Sequence, residues 1–114
     1  MLDAIIELIE KEEFATAEIA LKEHLKADDK KIQAYAEYLM GYINTCWQNK
    51  EKNEKKARRY LLYNLNSDFP HPNAYNLYAQ LEEDKNIVEK YLIQGLNKFK
   101  NHPQLLKTVN IFAR

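Results

Sequence analysis

Apolar residues recur at steps of three and four along nearly the whole chain, with almost no strand-like alternation. That pattern restricts the chain to helices packed on helices, because each apolar stripe must be covered by another element. The first stripe, over residues 2–11, carries Leu2, Ile5, Ile6, Leu8 and Ile9. A second helix is expected over residues 14–26, where Ala17, Leu21, His24 and Leu25 repeat. Asp28 and Asp29 then offer short carboxylates to the first free amides of a third helix. This third helix is the longest expected, residues 30–49. Ile32, Ala36, Leu39, Ile43, Cys46 and Trp47 form its stripe, with Tyr38, Tyr42 and Thr45 off it.

Residues 49–56 contain no apolar side chain and read as a turn or frayed helix ends. A fourth helix over residues 54–65 turns Ala57, Tyr60, Leu61 and Leu65 inward. The Ser67-Asp68-Phe69-Pro70-His71-Pro72 segment is a clear break, and Pro72 suits the first turn of a fifth helix. That helix carries Tyr75, Tyr78, Ala79 and Leu81. Ile87, Val88, Tyr91, Leu92, Gly95, Leu96 and Phe99 mark a sixth. Beyond Asn101-His102-Pro103, Leu105, Leu106, Val109 and Phe112 mark a seventh over residues 103–113. No interior linker divides the chain, so residues 1–114 are expected to form one all-α domain.

Composition agrees. At 114 residues the chain suffices for one modest core. Two glycines and three prolines exclude a turn-dense β domain or a disordered Pro/Gly tract. A lone cysteine, Cys46, cannot form an internal disulfide, which fits a reducing compartment. Asp3, Glu7 and Glu10 interrupt the run where a secretory signal would be uncharged, and the uncharged stretches 38–49 and 69–81 are too short to span a bilayer. A cytoplasmic location away from the membrane is the expectation. The 17 basic and 17 acidic residues cancel, which removes whole-chain basicity as an argument for nucleic acid. They are unevenly spread: residues 1–29 hold nine acids and three bases, residues 30–66 eight bases and three acids. Either the two segments pack together or both present solvated faces.

Three helices that come second in a pair share a spacing: Ala17 then Leu21, Ala57 then Leu61, Val88 then Leu92. The Ala/Val positions are 40 and 31 residues apart. Met40-Gly41 and Tyr78-Ala79 are similar to a Leu-Gly step, Tyr75 fills a bulky position, and Pro70 and Pro103 fall near repeat ends. In these respects the chain resembles the tetratricopeptide repeat family, whose helix–turn–helix unit is about 34 residues long. The resemblance covers nearly the whole chain, with a degenerate first repeat. Glu37 departs from it at the bulky position of the middle repeat. It implies stacked antiparallel hairpins over residues 1–28, 29–67 and 71–100 in a right-handed superhelix, with an extra helix over 103–113. It also gives Gly41 and Gly95 a role, as points of close helix crossing; the alternative is that both are tolerated or mark kinks.

No catalytic or metal-binding constellation stands out, and no cofactor is implied. His24, His71 and His102 have no partner at ligand spacing, and Cys46 beside Trp47 reads as buried core. Lys50, Lys52, Lys55, Lys56, Arg58 and Arg59 form a basic cluster, but Glu51 and Glu54 interrupt it, so a charged turn is expected and no nucleic-acid partner. The expected function is non-catalytic binding of a peptide or protein on the concave face lined by the first helix of each pair. From the Gly41 and Ala79 registers, the groove-facing residues would be Tyr38, Tyr42, Thr45, Asn73, Asn76 and Gln80. Tyrosines supply contact area with few rotors to freeze, and side-chain amides both donate to and accept from a peptide backbone. Tyr38 and Tyr42 could equally pack against a neighbouring helix. The other function expected is oligomerisation, or an accessory role in a larger protein, through Ile111 or Phe112 near the C-terminus.

Overall fold

Short polar side chains decide where three of the helices begin. A computed structural model describes residues 2–100, 102, 103 and 105–107 of the chain. Its six helices are α1 (Asp3–Glu10), α2 (Phe14–His24), α3 (Lys30–Ile43), α4 (Glu54–Leu65), α5 (Pro72–Leu81) and α6 (Lys85–Lys98). Pro103 and residues 105–107 are also helical, and no strand occurs among the described residues. Val109, Ile111 and Phe112, expected in the last helix, lie outside them. Asp29 starts α3 by accepting from the Lys31 and Ile32 amides at 2.9 and 3.3 Å. Asn53 accepts from Lys56 N–H at the start of α4, and Asp84 from Asn86 N–H at the start of α6. Such caps stabilise a helix by about 1 kcal/mol each.

The α3 helix stops at Ile43, six residues before the expected end at Asn49, for a visible reason. The Asn44 side-chain amide donates to the Met40 carbonyl at 2.9 Å, Thr45 Oγ1 to the Tyr42 carbonyl at 2.8 Å, and Asn49 Nδ2 to the Ile43 carbonyl at 3.0 Å. The Thr45 and Asn49 donors serve carbonyls that a longer helix would have bonded through its own amides, while the Met40 carbonyl keeps the Asn44 amide and gains a second donor. Asn44, itself buried, also accepts from Asn53 N–H and so ties the end of α3 to the start of α4. Cys46 and Trp47 consequently leave the helical stripe: Cys46 is only half-buried, and Trp47 is 81% exposed in the connecting loop.

Each helix packs against its neighbour in sequence, and α3 also packs against α5. The core runs through Ile5, Ala17, Leu21, Leu39, Met40, Ile43, Leu61, Leu65, Tyr75, Tyr78, Val88 and Leu92. Both glycines sit at close crossings. A Cβ on Gly41 would lie 2.6 Å from Cγ and Cδ2 of Leu61, and one on Gly95 would lie 2.9 Å from Cγ of Tyr75. The acidic and basic segments meet in one ion pair among the described residues, Glu18 of α2 with Lys56 of α4. The acids and bases on either side are otherwise largely exposed.

A second asparagine joins three elements. Asn64, fully buried in α4, donates through Nδ2 to the Ala34 carbonyl of α3 at 2.8 Å and accepts at Oδ1 from His71 N–H at 2.9 Å. Glu12 closes α1 differently. With φ of 61° it occupies the left-handed position usually given to glycine, while Glu13 N–H bonds the Leu8 carbonyl at 2.9 Å.

Two outcomes follow from this packing. Gly41→Ala should destabilise the protein by about 1–3 kcal/mol despite better helix propensity, yet be neutral or stabilising on a Leu61→Ala background. A double-mutant cycle by chemical denaturation reads this directly. Asn64→Ala leaves the His71 amide unpaired and removes the link to the Ala34 carbonyl, and should cost about 1–3 kcal/mol, whereas Asn66→Ala, on the exposed side, should change stability by less than about 0.5 kcal/mol.

Candidate functional site

A cleft of about 270 Å³ opens between α1 and α3. One wall is Ile6, Ile9 and Glu10 of α1; the other is Tyr35, Tyr38, Leu39 and Tyr42 of α3, and His71 from the start of α5 also lines it. The tyrosines follow one another along α3 at spacings of three and four, which place them on one side of a helix. Their rings are in sequence: Tyr35 meets Tyr38 edge-on at 5.9 Å between centroids, and Tyr38 meets Tyr42 at 6.3 Å. His71 lies flat on the Tyr38 ring, 3.8 Å between centroids and within 4° of parallel.

His71 is held there from two sides. Its backbone N–H donates to Asn64, and its Nδ1 accepts from Asn73 N–H at 3.1 Å, so it is the N-cap of α5. An accepting Nδ1 carries no proton, which makes this the neutral ring. Burial, and secondarily the nearby His102, push its pKa below the ordinary histidine value. Tyr42 is half-buried and lies near Cys46. Burial pushes the Cys46 thiol up; the Tyr42 hydroxyl opposes this, and the Glu12 carboxylate adds to it. Burial also raises the Tyr38 and Tyr42 phenols, so both are neutral at physiological pH.

The six residues expected to face a groove divide into three sets. Tyr42 lines the cleft. Tyr38, Asn73 and Asn76 form a polar string: Asn73 Nδ2 donates to the Tyr38 hydroxyl at 2.9 Å, and Asn76 Nδ2 to Asn73 Oδ1 at 3.4 Å. Tyr38 and Asn76 are 6% and 4% exposed, so they build and brace the cleft and offer little surface of their own. Thr45 and Gln80 are not among the cleft-lining residues; Thr45 closes α3, and Gln80 is exposed on α5. Sequence reasoning passed over Tyr35, His71 and the α1 wall. The Tyr35–Tyr38–Tyr42 spacing was a usable signal for the first. His71 was not, because histidine is outside the usual capping set.

A more polar cleft of about 240 Å³ lies between the start of α3 and the end of α4, with Lys30, Glu37, Tyr63 and Asp68 on its walls. Burial raises the Glu37 carboxyl, against the pull of Lys30. Among the described residues no group of three or more His, Cys, Asp or Glu is placed to hold a metal ion, and no helix is long and apolar enough to cross a membrane. Comparison with protein-family models, with curated proteins and with solved structures finds no match for this chain.

The cap makes stability depend on His71 protonation. Its folded pKa lies below its unfolded value of 6.5, so the unfolded chain takes up the proton first. The stability contributed by the neutral ring is complete above about pH 6.5 and lost as pH falls through the lowered native value. His71→Asn keeps a capping acceptor and removes the titration. The variant should show a shallower fall in Tm between about pH 7.5 and about pH 5 than the wild type; equal slopes would mean that the cap does not titrate.

Proposed function

We propose that the chain is a non-catalytic module for binding another protein, built of stacked helical hairpins in the manner of tetratricopeptide repeats, with the α1/α3 cleft as its docking site. Several observations support the hairpin reading. Helices adjacent in sequence are adjacent in space, and α3 packs on α5, as first helices of successive pairs would. Gly41 meets Leu61, and Gly95 meets Tyr75, at the crossings that the repeat register calls for.

The observation that carries the docking reading is the cleft itself. Its walls are the first helices of two successive pairs, and its tyrosines already stand in ordered contacts. Side chains held this way lose little further entropy when a partner arrives. At about 270 Å³ the cleft is at or below the small end of ligand sites, which fits one or two side chains of an extended peptide better than a cofactor. Tyr42 and Tyr35 are half-buried, with area left to cover.

Selection of peptides against the full chain from a displayed random library tests this. Binders should lose about tenfold or more in affinity with Tyr35→Ala or Tyr42→Ala, the range expected of aromatic anchors, while the far-UV circular dichroism of each variant stays native. Selected peptides that are indifferent to both substitutions would remove the cleft as the docking site.

A further inference from the structure

The charges around the cleft are one-sided, and this narrows what it can take. Of the residues that line it, Glu10 alone is charged, and no lysine or arginine is among them. Beyond Tyr42, the Glu12 carboxylate is close enough to Cys46 to hold the thiol up. His71 adds no positive charge, because its Nδ1 accepts the Asn73 amide. The remaining polar character is tyrosine rings, whose faces carry partial negative charge. An anionic side chain here would meet a carboxylate with no compensating cation. A wholly apolar one would leave the Glu10 carboxylate and the negative ring faces without a complement.

We propose that the cleft receives a cationic side chain, an arginine or lysine from a basic segment of a partner protein, seated against Tyr35 and Tyr42 with Glu10 as its counter-ion. This rests on reading the cleft as a docking site and specifies what docks there. Guanidinium and ammonium groups are attracted to aromatic faces, and guanidinium also pairs bidentately with a carboxylate. The surroundings are predominantly acidic and reinforce the attraction: α1 exposes Asp3 and Glu7 besides Glu10, and Glu12 and Glu13 follow it, with Lys11 the one base among them.

The test titrates the isotopically labelled full chain, followed by NMR, with four capped amino acids: the N-acetyl amides of arginine, lysine, norleucine and glutamate. The arginine and lysine probes should shift the Ile9, Glu10, Tyr35 and Tyr42 resonances in a saturable way, and the other two should not. Glu10 is exposed, so Glu10→Gln should leave folding intact and weaken arginine binding about two- to fivefold, and added salt should weaken it further in the wild type. Tyr42→Phe should bind like the wild type, since the ring face suffices, while Tyr42→Ala should not bind. Norleucine saturating the same resonances as tightly as arginine would overturn the cation and leave the docking site standing. No response from any of the four probes would also overturn it. Library peptides that bind through Tyr35 and Tyr42 would then show that only the cation was wrong. Concentration-dependent shifts of these resonances without any probe would make a second copy of this chain the occupant and overturn a separate partner.

Discussion

Asn64 fixes the position of α5 relative to α3, and the cleft depends on that position. A fully buried amide has to find partners for both of its ends, and Asn64 finds one in the α3 backbone and the other in the backbone of His71. The second bond places the His71 ring where it can lie on Tyr38, and the same ring caps α5. Asn73, two residues on, then reaches the Tyr38 hydroxyl. One buried side chain thus orients a stacked pair, a helix start and the hydrogen bond that holds the central tyrosine. Because polar bonds are directional where apolar contacts are not, this arrangement specifies one geometry for the cleft as well as stabilising it.

Much of the architecture was legible in the residues. The stripes predicted six helices that the structure contains, and the proline breaks fell where the chain turns. Gly41 was correctly read as a close crossing. The burial of Tyr38 has a packing cause. α3 packs against α2, α4 and α5, so a face with no partner on a two-helix diagram is covered in the fold, and Tyr38 is buried although it lies off the main stripe. A single stripe describes a helix with one neighbour; a helix with three is buried nearly all round in its second half. The premature end of α3 was missed for a local reason. Asn44 and Thr45 bond backwards to carbonyls, an alternative to helix that apolar periodicity does not register.

The candidate site was legible in part. Tyr42 lies at the cleft, and Tyr38, Asn73 and Asn76 share one neighbourhood, with Tyr38 packed inward as the alternative reading of its position allowed. What could not be read was the opposite wall. Ile6, Ile9 and Glu10 belong to a helix that has its own apolar stripe, and only the packing of α1 against α2, and of α2 against α3, brings that stripe beside the tyrosines. Glu12 is a further trace of the same region. A non-glycine residue in the left-handed conformation costs about 1 kcal/mol or more relative to glycine. That cost falls on the turn beside the cleft, and it puts a carboxylate near Cys46.

The exposed indole in the α3–α4 loop has a practical consequence. The only tryptophan of the chain lies outside the core, before a segment of mixed lysines and glutamates, whereas the buried rings are Phe14 and tyrosines. Its emission in the folded protein will already resemble that of an indole in water, so fluorescence at the red edge will change little when the core melts. The same indole is a sensitive reporter of anything that settles on the loop, a surface remote in sequence from the α1 wall of the cleft.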